Sequence, residues 1–339
     1  MATNITNSFD TIYLTAHLPE NVYIGTSASS IVVEISVDGD TVFSSTYYPY
    51  NQVVCVRDIR SIVEAAMFDQ GLDMATLQIE AREPGGASSV VDDVKVICSD
   101  YKSALGSEAF LLQNFLTTRN CALVPRNGRV LLHNYAKAYA QGSNYAVIHY
   151  SVYHISGQTF QYNVSFSSMQ STSSKIVSAN LTYDYFKGIV DNARNTNCTV
   201  LGVEYHIGSR QFNIFFTDEE PTEQFEFFNA FNMQETVYLF GTTTTKTEVE
   251  RSEALCGRKS KFYDETVKVK HEVETAPMPY KEAKWLSQMF TSRWVVRPVG
   301  DGMTAEVLIS DITSEVTDSD KELIRLKFAW KYADGVEWL

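Results

Sequence analysis

The chain has 339 residues, 41 acidic against 28 basic side chains, a formal charge of −13 and a pI near 5.0. That length leaves room for two or three domains, and a hydrophobic fraction of 44% excludes a wholly disordered chain. A net-acidic surface repels phosphate, which argues against nucleic-acid binding through a general basic face.

No stretch approaches the roughly 18 consecutive apolar residues that a membrane-spanning helix needs, so no membrane partner is expected. The segment after Met1 has neither a basic nor an apolar region of the kind a secretory signal carries, which predicts folding in the cytosol. The five cysteines (Cys55, Cys98, Cys121, Cys198 and Cys256) are scattered and never form a CxxC pair. They read as free thiols in a reducing compartment rather than as a disulfide framework or a zinc site.

Charge is unevenly spread. Residues 1–241 hold 13 basic and 24 acidic side chains, and residues 242–339 hold 15 and 17. The shift in composition places a domain boundary near Gly241. The Thr242–Thr245 run at that point is either a linker or the start of a β-branched strand.

Along the chain, Ile31–Val37 reads as a strand, Asp38–Asp40 as a tight turn and Thr41–Tyr47 as the return strand. Asp58 is placed to cap a helix whose Ile59, Ile62, Val63 and Ala66 recur at helical spacing. Strands are predicted next at Thr76–Arg82 and Val94–Ser99. The same phrase then returns: strand Tyr145–His154, a turn at Ser156–Gly157, and strand Thr159–Phe166. A helical stripe of Tyr185, Phe186, Ile189, Val190 and Ala193 follows, then strands Thr199–Ile207 and Gln211–Thr217. Each copy closes on a similar phrase, Phe110–Phe115 and Phe225–Phe231. The pattern reads as an internal duplication of about 115 residues; two unrelated β domains sharing one order is the alternative.

The last hundred residues read as a third version of the plan. Phe262–Glu274 alternates with Val267, Val269, His271 and Val273 on one face, and Pro277 and Pro279 introduce a helix striped by Trp285, Leu286, Met289 and Phe290. Strands at Trp294–Arg297, Ala305–Ile309 and Leu323–Trp330 complete it. The expectation is a mainly β, multi-domain chain of β-sandwich domains each with one short helix: residues 1–127, 128–241 and 242–339.

Residues that carry chemistry are sparse. His149 and His154 fall on opposite faces of a regular strand, which is poor metal-ligand geometry. His206 and Glu204 share a face and read as a surface hydrogen bond. Pro84–Ser89 is glycine-rich but lies between strands, so it reads as a loop tip, and neither a nucleophile elbow nor a phosphate loop occurs. The clusters Asp218, Glu219, Glu220, Glu223 and Glu226, and Asp311, Asp318 and Asp320, read as solvated acidic loops. Tyr47, Tyr48, Tyr50, Tyr183 and Tyr185 suit sugar stacking, subunit contacts or a tyrosine-rich core equally well. No catalytic, cofactor-binding or metal-binding residue is expected, and no enzyme.

The segments Thr245–Glu253, Lys261–Thr275, Tyr280–Ser292 and Leu308–Asp334 resemble a stretch in tail-module proteins of long-tailed bacteriophages and prophages. The resemblance spans about residues 245–339. It implies a tail-tube-like C-terminal fold, a ring of identical subunits, other tail proteins as partners, and a place in the virion tail after assembly in host cytoplasm. A host-surface glycan stays open as a ligand of the N-terminal domains. A carbohydrate-binding or adhesin-like sandwich protein is the alternative function.

Overall fold

The computed structural model describes residues 3–86, 88–136, 144–152, 158–166, 175–300, 302–313 and 323–335. The chain is mainly β, built as several sheets with short helices. The turn read at Ser156–Gly157, His154, Asp318 and Asp320 lie outside the described residues.

The first unit contains β1 (Asn4–Ile5), β2 (Ile12–Leu14), β3 (Val22–Gly25), β4 (Ile31–Val37), β5 (Asp40–Tyr47), β6 (Val53–Val56), α1 (Ile59–Asp69), β7 (Met74–Arg82) and β8 (Ser88–Ile97). Strict alternation drives β4: Ile31, Val33, Ile35 and Val37 point inward while their neighbours stay half-exposed. The larger sheet runs β2-β8-β7-β4-β5, with β2 parallel to β8. The small sheet β1-β3-β6 and the Ile59/Val63/Met67 face of α1 cover its inner side, closing one core. Asp58 precedes α1 but makes no cap; its backbone is left-handed at φ 62° and no side-chain bond reaches the helix.

A linker helix, α2 (Ser107–Gln113), leads to the second unit. That unit holds β9 (Cys121–Pro125), β10 (Arg129–Ala136), β11 (Asn144–Val152), β12 (Thr159–Phe166), β13 (Lys175–Thr182), α3 (Tyr183–Arg194), β14 (Cys198–Ile207) and β15 (Arg210–Thr217). Its sheet runs β9-β15-β14-β11-β12, again with the first strand parallel to the last, and β10 pairs with β13 as β3 pairs with β6. Apart from β1, which has no counterpart here, the connections are those of the first unit. Here Thr182 does cap α3, accepting from the Tyr185 amide at 3.3 Å.

The third unit is one antiparallel sheet of seven strands, formed by β16 (Glu223–Phe228), β17 (Gln234–Leu239), β18 (Gly241–Cys256), β19 (Lys259–Thr275), β20 (Val295–Gly300), β21 (Met303–Thr313) and β22 (Lys327–Tyr332), with α4 (Tyr280–Thr291) packed on it. The order is β17-β16-β20-β21-β22-β19-β18. Its two edge strands, β17 and β18, are consecutive in the chain with only Phe240 between them, so the sheet curls until the edges meet at that corner. A side chain at Gly241 would collide with the Glu274 carbonyl there. The unit shares the hairpin–helix–hairpin order of the others but not their sheet connections, because β22 separates the hairpin from the strands after the helix.

Two readings of the sequence change. The Phe225–Phe231 phrase does not close the second unit; Phe225 and Phe227 belong to the third core, and Phe231 to a junction core with Phe110 and Leu111 of α2. The composition shift at Gly241 therefore marks the start of a charged hairpin rather than the edge of a folded unit. The Thr242–Thr245 run is strand, the opening of β18.

Trp285 lies against Phe227 with ring centroids 5.7 Å apart, fully enclosed by the third core. Trp285→Ala is expected to cost about 3–5 kcal/mol in urea denaturation, the range for deleting a buried aromatic.

Candidate functional site

The feature without a structural account inside the chain is the distal part of the β18–β19 hairpin. Only His271–Glu274 of β19 pair with β22, so, among the described residues, 246–256 and 259–270 pair only with each other. At about 3.3 Å per residue this ribbon extends roughly 35 Å. Its turn is Gly257-Arg258, both left-handed at φ 57° and 69°, the geometry of a two-residue hairpin that matches strand twist.

The arm is amphipathic. Residues directly opposite share a face, and one face carries the pairs Thr247–Val269, Val249–Val267, Arg251–Glu265, Glu253–Phe262 and Leu255–Ser260. The other carries Lys246–Lys270, Glu248–Lys268 and Ala254–Lys261, tied by ion pairs such as Lys268–Glu250 at 2.7 Å and Lys246–Glu272 at 2.7 Å. The apolar face continues the core: Val273 is buried, His271 stacks on Trp330 at 4.0 Å, and beyond them the stripe runs on into solvent. Phe262 is 62% exposed, Tyr263 71% and Leu255 79%. Tyr263 is the extra residue of a bulge opposite Ser252/Glu253, which turns its ring out of the ladder. Isolated two-stranded ribbons are marginal in water, and this one leaves its aromatic tip exposed.

Elsewhere the polar groups serve the junctions. Glu235 of β17 is 2% exposed and takes the Arg119 guanidinium at 3.1 Å, the Trp285 indole N–H at 2.9 Å and the Asn229 amide at 2.5 Å. Arg119 also lies over the Trp285 ring at 3.8 Å. Arg210 is buried without a carboxylate; it donates to the carbonyls of Leu111, Asn114 and Tyr135, and burial lowers its pKa to about 10. A cavity of about 440 Å³ lies between the first and third units, walled by Phe68, Phe228 and Trp294. Its Asp73 is already bonded to Asn232 at 2.9 Å and the Asp100 amide to the Ala230 carbonyl at 2.8 Å, so it is a joint between units.

The acidic clusters divide. Asp218 is exposed and pairs with Arg126 at 2.6 Å, and Asp311 pairs with Lys270. Glu223 and Glu226, read from sequence as solvated, are instead buried on β16, held by Arg297 at 3.1 Å and Arg129 at 2.8 Å. Their burial depends on arginines 74 and 97 residues away, which no local pattern announces. Glu204 bonds His149 on the neighbouring strand at 2.8 Å, closer than the 3.9 Å to His206, which stacks on Tyr145 instead. Pro84-Gly85 sits at the β7–β8 loop tip. Among the tyrosines, Tyr48 and Tyr50 are exposed and Tyr183 is buried. Among the described residues, no three His, Cys, Asp or Glu side chains are grouped to hold a metal ion, and no helix is long and apolar enough to cross a membrane.

No family model and no curated protein matches the chain. Among solved structures it is similar to the calcium binding domain CBD12 of CALX1.1, at 12% identity over 61% of this chain and 79% of that one with a TM-score of 0.17. It is similar also to CBD12 from CALX1.2, at 10% identity over 60% and 79% with a TM-score of 0.19. At TM-scores this low neither match bears on the fold or ligands of this chain.

Removing the Glu235 carboxylate leaves Arg119 as an uncompensated buried cation, so Glu235→Gln should cost about 3–5 kcal/mol. Arg82→Ala, which breaks the exposed Arg82–Glu34 pair at 3.2 Å, should cost below about 1 kcal/mol; parallel urea titrations check both. Burial pushes the Cys98 thiol from 9.0 up to about 12. The folded state thus keeps a proton that the unfolded chain loses, and this contribution, intact below pH 9, is lost as pH rises towards 12. Stability measured against pH should fall less steeply above pH 9 in Cys98→Val than in the parent.

Proposed function

We propose that the protein is a non-enzymatic structural subunit that assembles with copies of itself into a ring, in the tail of a long-tailed bacteriophage or prophage. The observation that carries self-assembly is the arm: a two-stranded ribbon whose apolar face extends the protein's own core into solvent. The tail setting rests on the resemblance of residues 245–339 to tail-module proteins, with their tail-tube-like fold and with other tail proteins as partners.

Charge supports the reading. A tail component must let duplex DNA pass without holding it, because each phosphate neutralised by Lys or Arg adds salt-dependent affinity. A chain at −13 suits that task. Of the acidic cluster at residues 218–226, Glu223 and Glu226 are held by arginines and Asp218 by Arg126.

Native mass spectrometry and electron microscopy of the purified protein test the proposal, together with antibody labelling of tails. The expected result is a discrete closed oligomer and labelled tails. A variant with residues 248–268 replaced by a two-residue Asn-Gly turn should be monomeric with little change in the unfolding of its three units. A parent protein that stays monomeric at micromolar concentration, with no label on tails, would overturn it.

A further inference from the structure

The two units of matching topology differ on the outer face of their five-stranded sheets. In the first, that face is charged: Glu34 lies opposite Glu80, Arg82 bonds Glu34, and Lys95 bonds Thr76 at 2.8 Å. In the second, the row His149, Gly202, Phe215, Leu123 crosses four strands, with Leu201 added by a bulge opposite His149/Tyr150. Phe215 is 53% exposed, and Leu123 and Leu201 are exposed beside it.

Gly202 forms the floor of this face. A Cβ there would stand 2.8 Å from the Ile214 carbonyl oxygen, so no side chain fits without moving the neighbouring strand. Glycine in a strand interior weakens it and commonly marks a point where another group comes close. The result is a hollow of about 410 Å³ walled by His149, Leu201 and Phe215. Asp218, Glu219 and Glu220 follow directly at the end of β15 and are exposed.

The arm has the complementary chemistry. Around Phe262 and Tyr263 it carries Arg258, Lys259 and Lys261 beside Glu253 and Asp264, while Arg251 is paired with Glu265 at 3.0 Å. Residues 246–270 hold seven basic and five acidic side chains, net +2, which leaves −15 on the rest of a chain at −13. We infer that the aromatic tip of one copy's arm seats in the Gly202 hollow of the next copy, its basic residues facing Glu219 and Glu220. This rests on the self-assembly proposed above and specifies its acceptor. Donor and acceptor are different surfaces, so the contact is head-to-tail, and the ring proposed above is the closed form of that repeat.

Sedimentation of the full-length protein, with Phe262→Asp on the arm and Phe215→Glu at the hollow, tests the assignment. Both side chains are exposed, so both variants should melt like the parent. Each alone should associate at least about tenfold more weakly than the parent. Mixed together, the intact hollow of one and the intact arm of the other can make a single contact, so a 1:1 dimer that does not grow is expected. The parent's assembly should also weaken with salt, and a bifunctional maleimide should join Cys256 of one copy to Cys121 on the acceptor face of another. If Phe262→Asp abolishes assembly while Phe215→Glu assembles like the parent, the acceptor lies elsewhere and only this inference fails. A parent that never assembles overturns the self-assembly reading along with it. If the hollow instead binds a simple saccharide in titration, with binding lost in Phe215→Glu and assembly unaffected, it is a sugar site and the arm's seat is wrong.

Discussion

The third unit is tied to the linker before the second by a buried carboxylate. Glu235 sits on β17, in the third sheet, yet its partners come from the linker before β9, from α4 and from the β16–β17 turn. Desolvating an ion in this way is costly unless it is compensated, and here two hydrogen-bond donors and the Arg119 cation converge on it. Asn229, bound to the carboxylate, also donates to the Leu116 carbonyl at 2.8 Å, which pins the linker itself. Around this polar centre Ile12 and Leu14 of the first unit, Tyr135 of the second and Phe231 and Met233 of the third pack into one junction core. The three units thus meet at an apolar junction, with the buried carboxylate beside it fixing the linker to the third unit.

Arg210 performs the complementary task from the second unit. With no carboxylate near it, its guanidinium is spent on three main-chain carbonyls from α2 to β10. By donating to all three, the arginine joins α2, the segment after it and β10. Together the buried glutamate and the buried arginine make irregular linker backbone into fixed structure.

What could be read from sequence was what local periodicity encodes. Ile31–Val37 alternates because one sheet face is core, and the Trp285/Leu286/Met289 stripe repeats at the pitch of a helix. Pairings between distant segments leave no such trace. Nothing near Ile12–Leu14 announces a parallel partner at Lys95–Ile97, and nothing in Phe225–Phe228 says that it joins Val295 and Val296 rather than the strands before it. The arm was the harder case. Thr245–Glu253 is rich in charge because only one face is apolar, and its strand character depends on the register with Thr266–His271. The hollow was hidden further, since it needs Gly202, His149 and Phe215 from three strands to fall in one row.

The corner at Phe240–Gly241 bears on how the arm would behave under mechanical load. A hairpin attached only by its ladder can be peeled from a sheet one bond at a time. Here one leg of the arm runs covalently into β17 at the opposite edge of the same sheet, while the other leg is bound in register to β22. Tension on the tip therefore divides between a covalent path and a set of hydrogen bonds loaded in shear, and it draws the two edges of the sheet together. Pulling on the arm tightens the unit that carries it.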